Sequence, residues 1–189
     1  AFVDHHIAET LFSTIFVLAY VVALLASRDI SLSRRSSEVL KMPAITAAFA
    51  GVAYLIGFFN MPTMILLALI VAVFTLVQFV LDFVQDRPSD YLVLVNAVTF
   101  GVVIIGTAAF GFPHTGLDLS RYTVGHVVAC AGLIGGTLVL YGLSVYLRGR
   151  PKYYFPAALA GLGVVAVAVL SIALPDIYNL LISSLFAFF

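Results

Sequence analysis

Charge is what this sequence has least of. Only 10% of its 189 residues are Asp, Glu, Lys or Arg, and 63% are apolar. Soluble domains carry about 25% charged and about 45–50% apolar residues. With a mean hydropathy of +1.16, the chain has more apolar surface than a soluble fold can hide, so lipid is the solvent for most of it. A single cysteine, Cys130, excludes an intrachain disulfide. Zero net charge gives nucleic acid nothing to recognise, and no nucleic-acid partner is expected. The recurring catalytic patterns His-Glu-x-x-His and Gly-x-Ser-x-Gly are absent, as is a phosphate-binding glycine loop.

What is present is a series of long apolar runs. A membrane helix needs about 20 mainly apolar residues to cross a hydrocarbon core roughly 30 Å thick. Six stretches qualify: 8–27, 42–59, 62–81, 91–112, 124–147 and 154–174. Prolines 43, 62, 88, 113, 151, 156 and 175 punctuate the breaks. Backbone groups in lipid must be satisfied within the segment, so the spans are helices. The expected fold is all-α, a polytopic bundle of six spans in one membrane domain. Spans two and three, joined only by Asn60-Met61, are expected to form a tight helical hairpin. Residues 176–189 are read as an external loop or an interfacial helix.

Basic residues set the orientation. With the amino end outside, the internal segments hold Arg28, Arg34, Arg35 and Lys41, then Arg87, then Arg148, Arg150 and Lys152, which is eight of the nine; only Arg121 falls outside. The positive-inside bias therefore places the amino end, the Asn60 turn, the 113–123 loop and the carboxyl end on the external face of the membrane. No Asp, Glu, Lys or Arg lies well inside the six stretches. Ion-coupled transport needs ionisable groups at membrane depth, so the chemistry is expected at the surface.

The chemically loaded segment is the first one, Asp4-His5-His6-Ile7-Ala8-Glu9. It packs four groups with metal-ligand chemistry into six residues directly before a spanning run. In an extended segment, Asp4 and His6 point the same way and can share one ion. On a helix, His5 and Glu9 share a face instead. An oxygen–nitrogen donor set suits manganese or zinc, with magnesium a further option. The plain alternative is helix-start chemistry, in which acidic side chains stabilise the positive end of the helix.

Asp-His-His-x-Ala-Glu before a membrane helix resembles the second acidic motif of archaeal oligosaccharyltransferase catalytic subunits, the AglB type, related to bacterial PglB. In that family six helices separate this motif from the large fifth external loop, and this chain has the motif followed by six spans. The tract from Lys41 through Phe83, with its abrupt turn at Asn60-Met61-Pro62, is also similar. The resemblance implies a partial GT-C membrane domain. It further implies a metal-dependent glycosyltransferase that moves oligosaccharide from a dolichyl phosphate or diphosphate carrier to asparagine in Asn-x-Ser/Thr. Asp4 would be the catalytic metal ligand with His6, and His5 and Glu9 would support them. The cofactor would be a divalent metal (manganese, magnesium or zinc), and the partners a dolichyl-linked oligosaccharide, an acceptor polypeptide and membrane lipid. The family's upstream Asp-x-Asp-like motif and its Trp-Trp-Asp-Tyr-Gly motif have no counterpart here, the latter because the chain has no tryptophan. The chain is thus expected to be a stretch of a longer protein, inactive alone.

Three further external residues, Asn60, His114 and Arg121, are candidates for contact with the carrier headgroup. For His114 with Asp118 the plainer reading is a solvated turn in which Asp118 or Ser120 caps the fifth helix. His126 is read as interfacial, and Gly132, Gly135, Gly136, Gly142, Gly161 and Gly163 as sites of close helix packing. The alternative to an enzyme is a non-catalytic membrane protein, a transporter half or a scaffold.

Overall fold

The computed structural model describes residues 2–28, 37–114, 116–117, 119, 121–173 and 175; the side chains of 2–6, 37–39, 170 and 173 lie outside that description. The described residues form six α-helices and no strand: α1 (Phe2–Ser27), α2 (Ser37–Asn60), α3 (Ile65–Val84), α4 (Asp90–Phe110), α5 (Val124–Tyr146) and α6 (Tyr154–Ala173). A 3-10 turn, Pro62–Met64, precedes α3. Five of these helices are long and apolar enough to cross a membrane, and the sixth has a shorter apolar stretch, Tyr154–Val169. The all-α membrane bundle expected from the apolar runs is the fold observed. Residues 176–189 lie outside the described residues.

The chain divides into two compact units, Ala1–Tyr146 and Leu147–Phe189. In the second, α6 carries Pro156 in its first turn, where the missing N–H costs no helical bond. In the first, α1 packs on α2, α2 on α4, α4 on α5 and α5 on α3. The expected hairpin is only half right. Its turn is tight, with the Met61 N–H donating to the Gly57 carbonyl at 2.9 Å. Yet the two helices part company, α2 packing along α1 and α4 while α3 packs along α5.

Small residues explain α2's choice. Ala47, Ala50 and Ala53 are buried along one of its faces. At Gly51 an added Cβ would lie 2.5 Å from the Thr99 carbonyl oxygen and 2.9 Å from Val102 Cβ. The Thr99 hydroxyl donates to the Ala47 carbonyl at 3.0 Å across the same seam. Backbones that approach this closely gain dispersion and interhelical hydrogen bonds, which drive association where lipid removes the hydrophobic term. The glycines expected in this role do not fill it. A Cβ built on Gly132, Gly135, Gly136, Gly142, Gly161 or Gly163 meets nothing within 4 Å among the described residues.

The core has an apolar half and a polar hub. Tyr54 stacks edge-on against Phe16 (5.2 Å) and Phe100 (5.8 Å), joining α1, α2 and α4. On α4, Asn96 is fully buried. Its Oδ1 accepts from the Tyr20 hydroxyl of α1 at 2.6 Å. Its Nδ2 donates to Thr75 Oγ1 of α3 at 3.0 Å and to Thr137 Oγ1 of α5 at 3.1 Å. The Thr137 proton goes to the Leu133 carbonyl at 2.8 Å, so its oxygen is free to accept and the amide orientation is fixed by the network. One amide thereby ties four helices together.

Three stability measurements follow in detergent or bicelles. Membrane-embedded side-chain hydrogen bonds average about 0.6 kcal/mol each, so Asn96→Ala, which removes three and opens a void, should cost about 2 kcal/mol or more. Thr14→Ala, which loses only an exposed bond to its own helix (to Thr10 O, 2.8 Å), should be near neutral. Gly51→Ala should destabilise by about 1–3 kcal/mol through overpacking, while Gly136→Ala is tolerated. The Tyr54 hydroxyl is buried with no hydrogen-bond partner among the described residues. Tyr54→Phe should therefore leave stability unchanged or raise it by up to about 1 kcal/mol.

Candidate functional site

One end of the first unit gathers the amino-terminal part of α1, the α2–α3 turn and the 111–123 loop. Glu9, half-buried on α1, accepts at Oε1 from the Thr63 hydroxyl of the turn at 2.7 Å. Ser13 strengthens the contact, donating to the Glu9 carbonyl at 2.6 Å and lying 3.3 Å from Met64 Sδ. The approach is close because residue 57 is glycine: an added Cβ would meet Met64 Cε at 2.7 Å and Phe12 Cβ at 2.9 Å. Three donors then cap the end of α2. The Asn60 amide donates to the Ile56 carbonyl (2.8 Å), the Met61 N–H to the Gly57 carbonyl, and the Tyr122 hydroxyl to the Phe59 carbonyl (3.1 Å). The last two satisfy carbonyls that have no partner within the helix, and the first adds to a carbonyl already bonded in the last turn. Burial pushes the Tyr122 phenol above its ordinary pKa.

Aromatic rings seal this end. Phe58 contacts Tyr122 (5.3 Å), His126 (4.7 Å) and Phe59, and Phe59 contacts Phe110 at 4.6 Å. His126, in the first turn of α5, is buried under Phe58, with Nδ1 3.3 Å from the Thr123 carbonyl. The cap of α5 is Thr123, whose Oγ1 accepts from the Gly125 N–H at 3.2 Å. Asp118 and Ser120, the caps expected from sequence, lie outside the described residues. His114 and Arg121 are exposed in the 111–123 loop, and Asn60 is exposed at the end of α2. Among the expected site residues, the structure joins Glu9 to the turn that follows Asn60.

The backbone of α1 bears on the metal reading. The helix is wound from Phe2 onward, so positions 4 and 6 stand about 200° apart around the axis, while positions 5 and 9 share a face. Of the two arrangements open to the sequence, the helical one is observed. The side chains of Asp4, His5 and His6 lie outside the described residues. Among the described residues no group of three His, Cys, Asp or Glu side chains converges.

The opposite end holds a polar cluster that the sequence did not single out. Asp82, in the last turn of α3, is 2% exposed. Its Oδ1 accepts from Gln78 Nε2 at 2.8 Å and its Oδ2 from the Tyr91 hydroxyl at 2.9 Å. Ending the third apolar run at 81 had left this residue outside the span. The available signal was Gln78, four residues earlier on the same helical face.

No protein-family model matches the chain. It is 27% identical over 186 residues to the dolichyl-monophosphooligosaccharide–protein glycotransferase AglB of Haloferax volcanii, a match covering 94% of this chain and 18% of that protein. Its fold is similar to that of the Archaeoglobus fulgidus oligosaccharyltransferase AglB solved with an inhibitory peptide and a dolichol-phosphate. That match has a TM-score of 0.77 and 19% identity, and covers 95% of this chain and 21% of that one. The same A. fulgidus enzyme solved with zinc and sulfate gives a TM-score of 0.69 and 21% identity over 88% of this chain and 21% of the other. The chain thus spans about a fifth of the length of the relatives it matches. In sequence and in fold together, this multi-pass membrane chain resembles one stretch of the AglB-type archaeal oligosaccharyltransferases.

Proposed function

We propose that this chain forms part of the membrane domain of a metal-dependent oligosaccharyltransferase, which moves oligosaccharide from a dolichyl phosphate or diphosphate carrier to asparagine of Asn-x-Ser/Thr sequons. The observation that carries the reading is the correspondence of nearly the whole chain with AglB-type proteins, together with Asp4-His5-His6 at the start of its first span. The end bearing α1's amino terminus faces the exterior of the plasma membrane. This orientation follows from the eight basic residues assigned to the opposite side.

In this reading Asp4 and His6 are ligands of a divalent metal. Manganese, magnesium and zinc all suit an oxygen–nitrogen donor pair, and a zinc- and sulfate-bound A. fulgidus relative supports a divalent ion. An extended first turn would set Asp4 and His6 on one side of the chain, so a bound ion would favour unwinding of that turn. A divalent ion held by Asp4 and His6 would supply positive charge to the phosphate leaving group. Glu9, anchored by Thr63, marks where unwinding stops and holds the rest of α1 against the α2–α3 turn. His5 supports the ligands, and the exposed Asn60, His114 and Arg121 line the approach of the carrier headgroup. The further ligands and the groups that read the sequon come from elsewhere in the natural protein.

In the natural protein, Asp4→Ala should lower transfer of glycan from a dolichyl carrier to a sequon peptide by at least about 100-fold, the scale of losing a preorganised electrostatic group. His6→Ala should lower it less and raise the metal concentration needed for half-maximal rate. Undiminished transfer by Asp4→Ala would refute the assignment.

A further inference from the structure

The polar cluster at the far end of the first unit borders a cavity of about 530 Å³ lined by Arg28, Asp82, Arg87, Pro88 and Tyr91. This is within the size range of small-molecule sites, roughly 300–1,000 Å³. Its walls come from three places: the residue just after α1, the last turn of α3, and the α3–α4 connection running into α4.

The chain ending α3 is shaped to put Arg87 there. Asp86 adopts a left-handed conformation, with φ at 57°. The Asp86 N–H donates to the Phe83 carbonyl at 3.2 Å and the Arg87 N–H to the Asp82 carbonyl at 2.8 Å. This is a Schellman ending, which reverses the chain sharply and usually employs glycine at the left-handed position. Here aspartate takes it, a residue that tolerates that region better than most. Pro88 then fixes the chain leading to α4.

The charges in the cavity favour an anion. Among the described lining residues the one carboxylate is Asp82, and both its oxygens are already engaged by neutral donors, Gln78 and Tyr91. Arg28 and Arg87 are exposed. Among the described residues, two guanidinium forks therefore line a space whose carboxylate is satisfied from its own side. Guanidinium forks match phosphate oxygens in two-pronged hydrogen bonds. The cavity also lies at the ends of α1 and α3, two helices long and apolar enough to cross a membrane.

We propose that the cavity between Arg28 and Arg87 is a phosphate-binding site, filled by the phosphodiester of an anionic lipid headgroup or by a soluble phosphate. This is independent of glycan transfer, whose residues lie at the opposite end of the unit. Asp82 acts as a positioning residue, holding Tyr91 and the α3 ending so that the two arginines flank the space.

The experiment uses the natural protein purified in detergent. Retention of phosphatidylglycerol is measured by native mass spectrometry against phosphatidylcholine, and sodium phosphate binding by calorimetry. Arg28→Gln/Arg87→Gln should lower phosphatidylglycerol retention by about tenfold or more, while Arg148→Gln/Arg150→Gln, which removes the same charge outside the cavity, leaves it within about twofold. That pattern assigns the site to a lipid headgroup. Sodium phosphate binding that is lost in the first variant and kept in the second assigns it to soluble phosphate. Equal retention in wild type and both variants, or equal loss in both, with no arginine-dependent phosphate binding, would overturn the proposal. Thermal unfolding of each variant identifies any that fail to fold. Single Arg28→Gln and Arg87→Gln substitutions at these exposed positions should fold as wild type, and each should lower retention part of the way.

Discussion

The bundle depends on satisfying one buried amide. Asn96 sits on α4 where neither water nor lipid offers it a partner, and an unsatisfied amide in such a medium costs several kcal/mol. Its oxygen and both its amide protons are met by Tyr20, Thr75 and Thr137, one from each of α1, α3 and α5. Because lipid tails are as apolar as leucine, apolar contact alone sets little in a membrane bundle. A fully satisfied amide sets register, since sliding any of the three helices by one residue leaves a polar group stranded. The close seam of Ala47, Gly51 and Thr99 then fixes α2 against α4. With these two devices in place, the first five helices have one arrangement.

That arrangement determines what meets at each end. The turn after α2 comes against the outset of α1, so that Thr63 reaches Glu9. The aromatic group of Phe58, Phe59, Phe110 and Tyr122 closes the same end. At the other end, α3 and α4 leave Asp82 and Tyr91 bonded under two arginines. The two ends differ in kind: one brings aromatic rings around the Glu9–Thr63 contact, the other sets two arginines beside the buried Asp82.

The helices were legible because lipid imposes a length and a composition on each. Apolar runs marked them to within a few residues, except at α1, which begins at Phe2 rather than near residue 8, and α2, which runs through Pro43. Partnership was not legible. Asn60-Met61 dictates a tight turn but not that α2 and α3 will lie together, because side-chain complementarity to α4 and α5 decides that. Asp82 was missed because a window that rewards apolar residues stops at the first charge, whereas a helix stops at its cap, here the left-handed Asp86. Glycine content was equally blind to pairing: Gly51 serves an interface, and Gly136 serves none among the described residues. At the amino end, Asp-His-His pointed to a family, but its spacing carried no record of whether the backbone there is wound or extended.

The central claim is that the end holding Glu9, Asn60 and the amino-terminal motif faces outward, where sugar transfer would take place, while the end holding Arg87 faces inward. Native Cys130 is buried, so within this chain it is shielded from a labelling reagent, and any cysteine elsewhere in the natural protein is first replaced by serine. Intact cells carrying Asn60→Cys or Arg87→Cys in the natural protein are treated with a membrane-impermeant maleimide. The account predicts labelling at position 60 in intact cells and at position 87 only after lysis. Labelling at position 87 in intact cells, with position 60 protected until lysis, would contradict it.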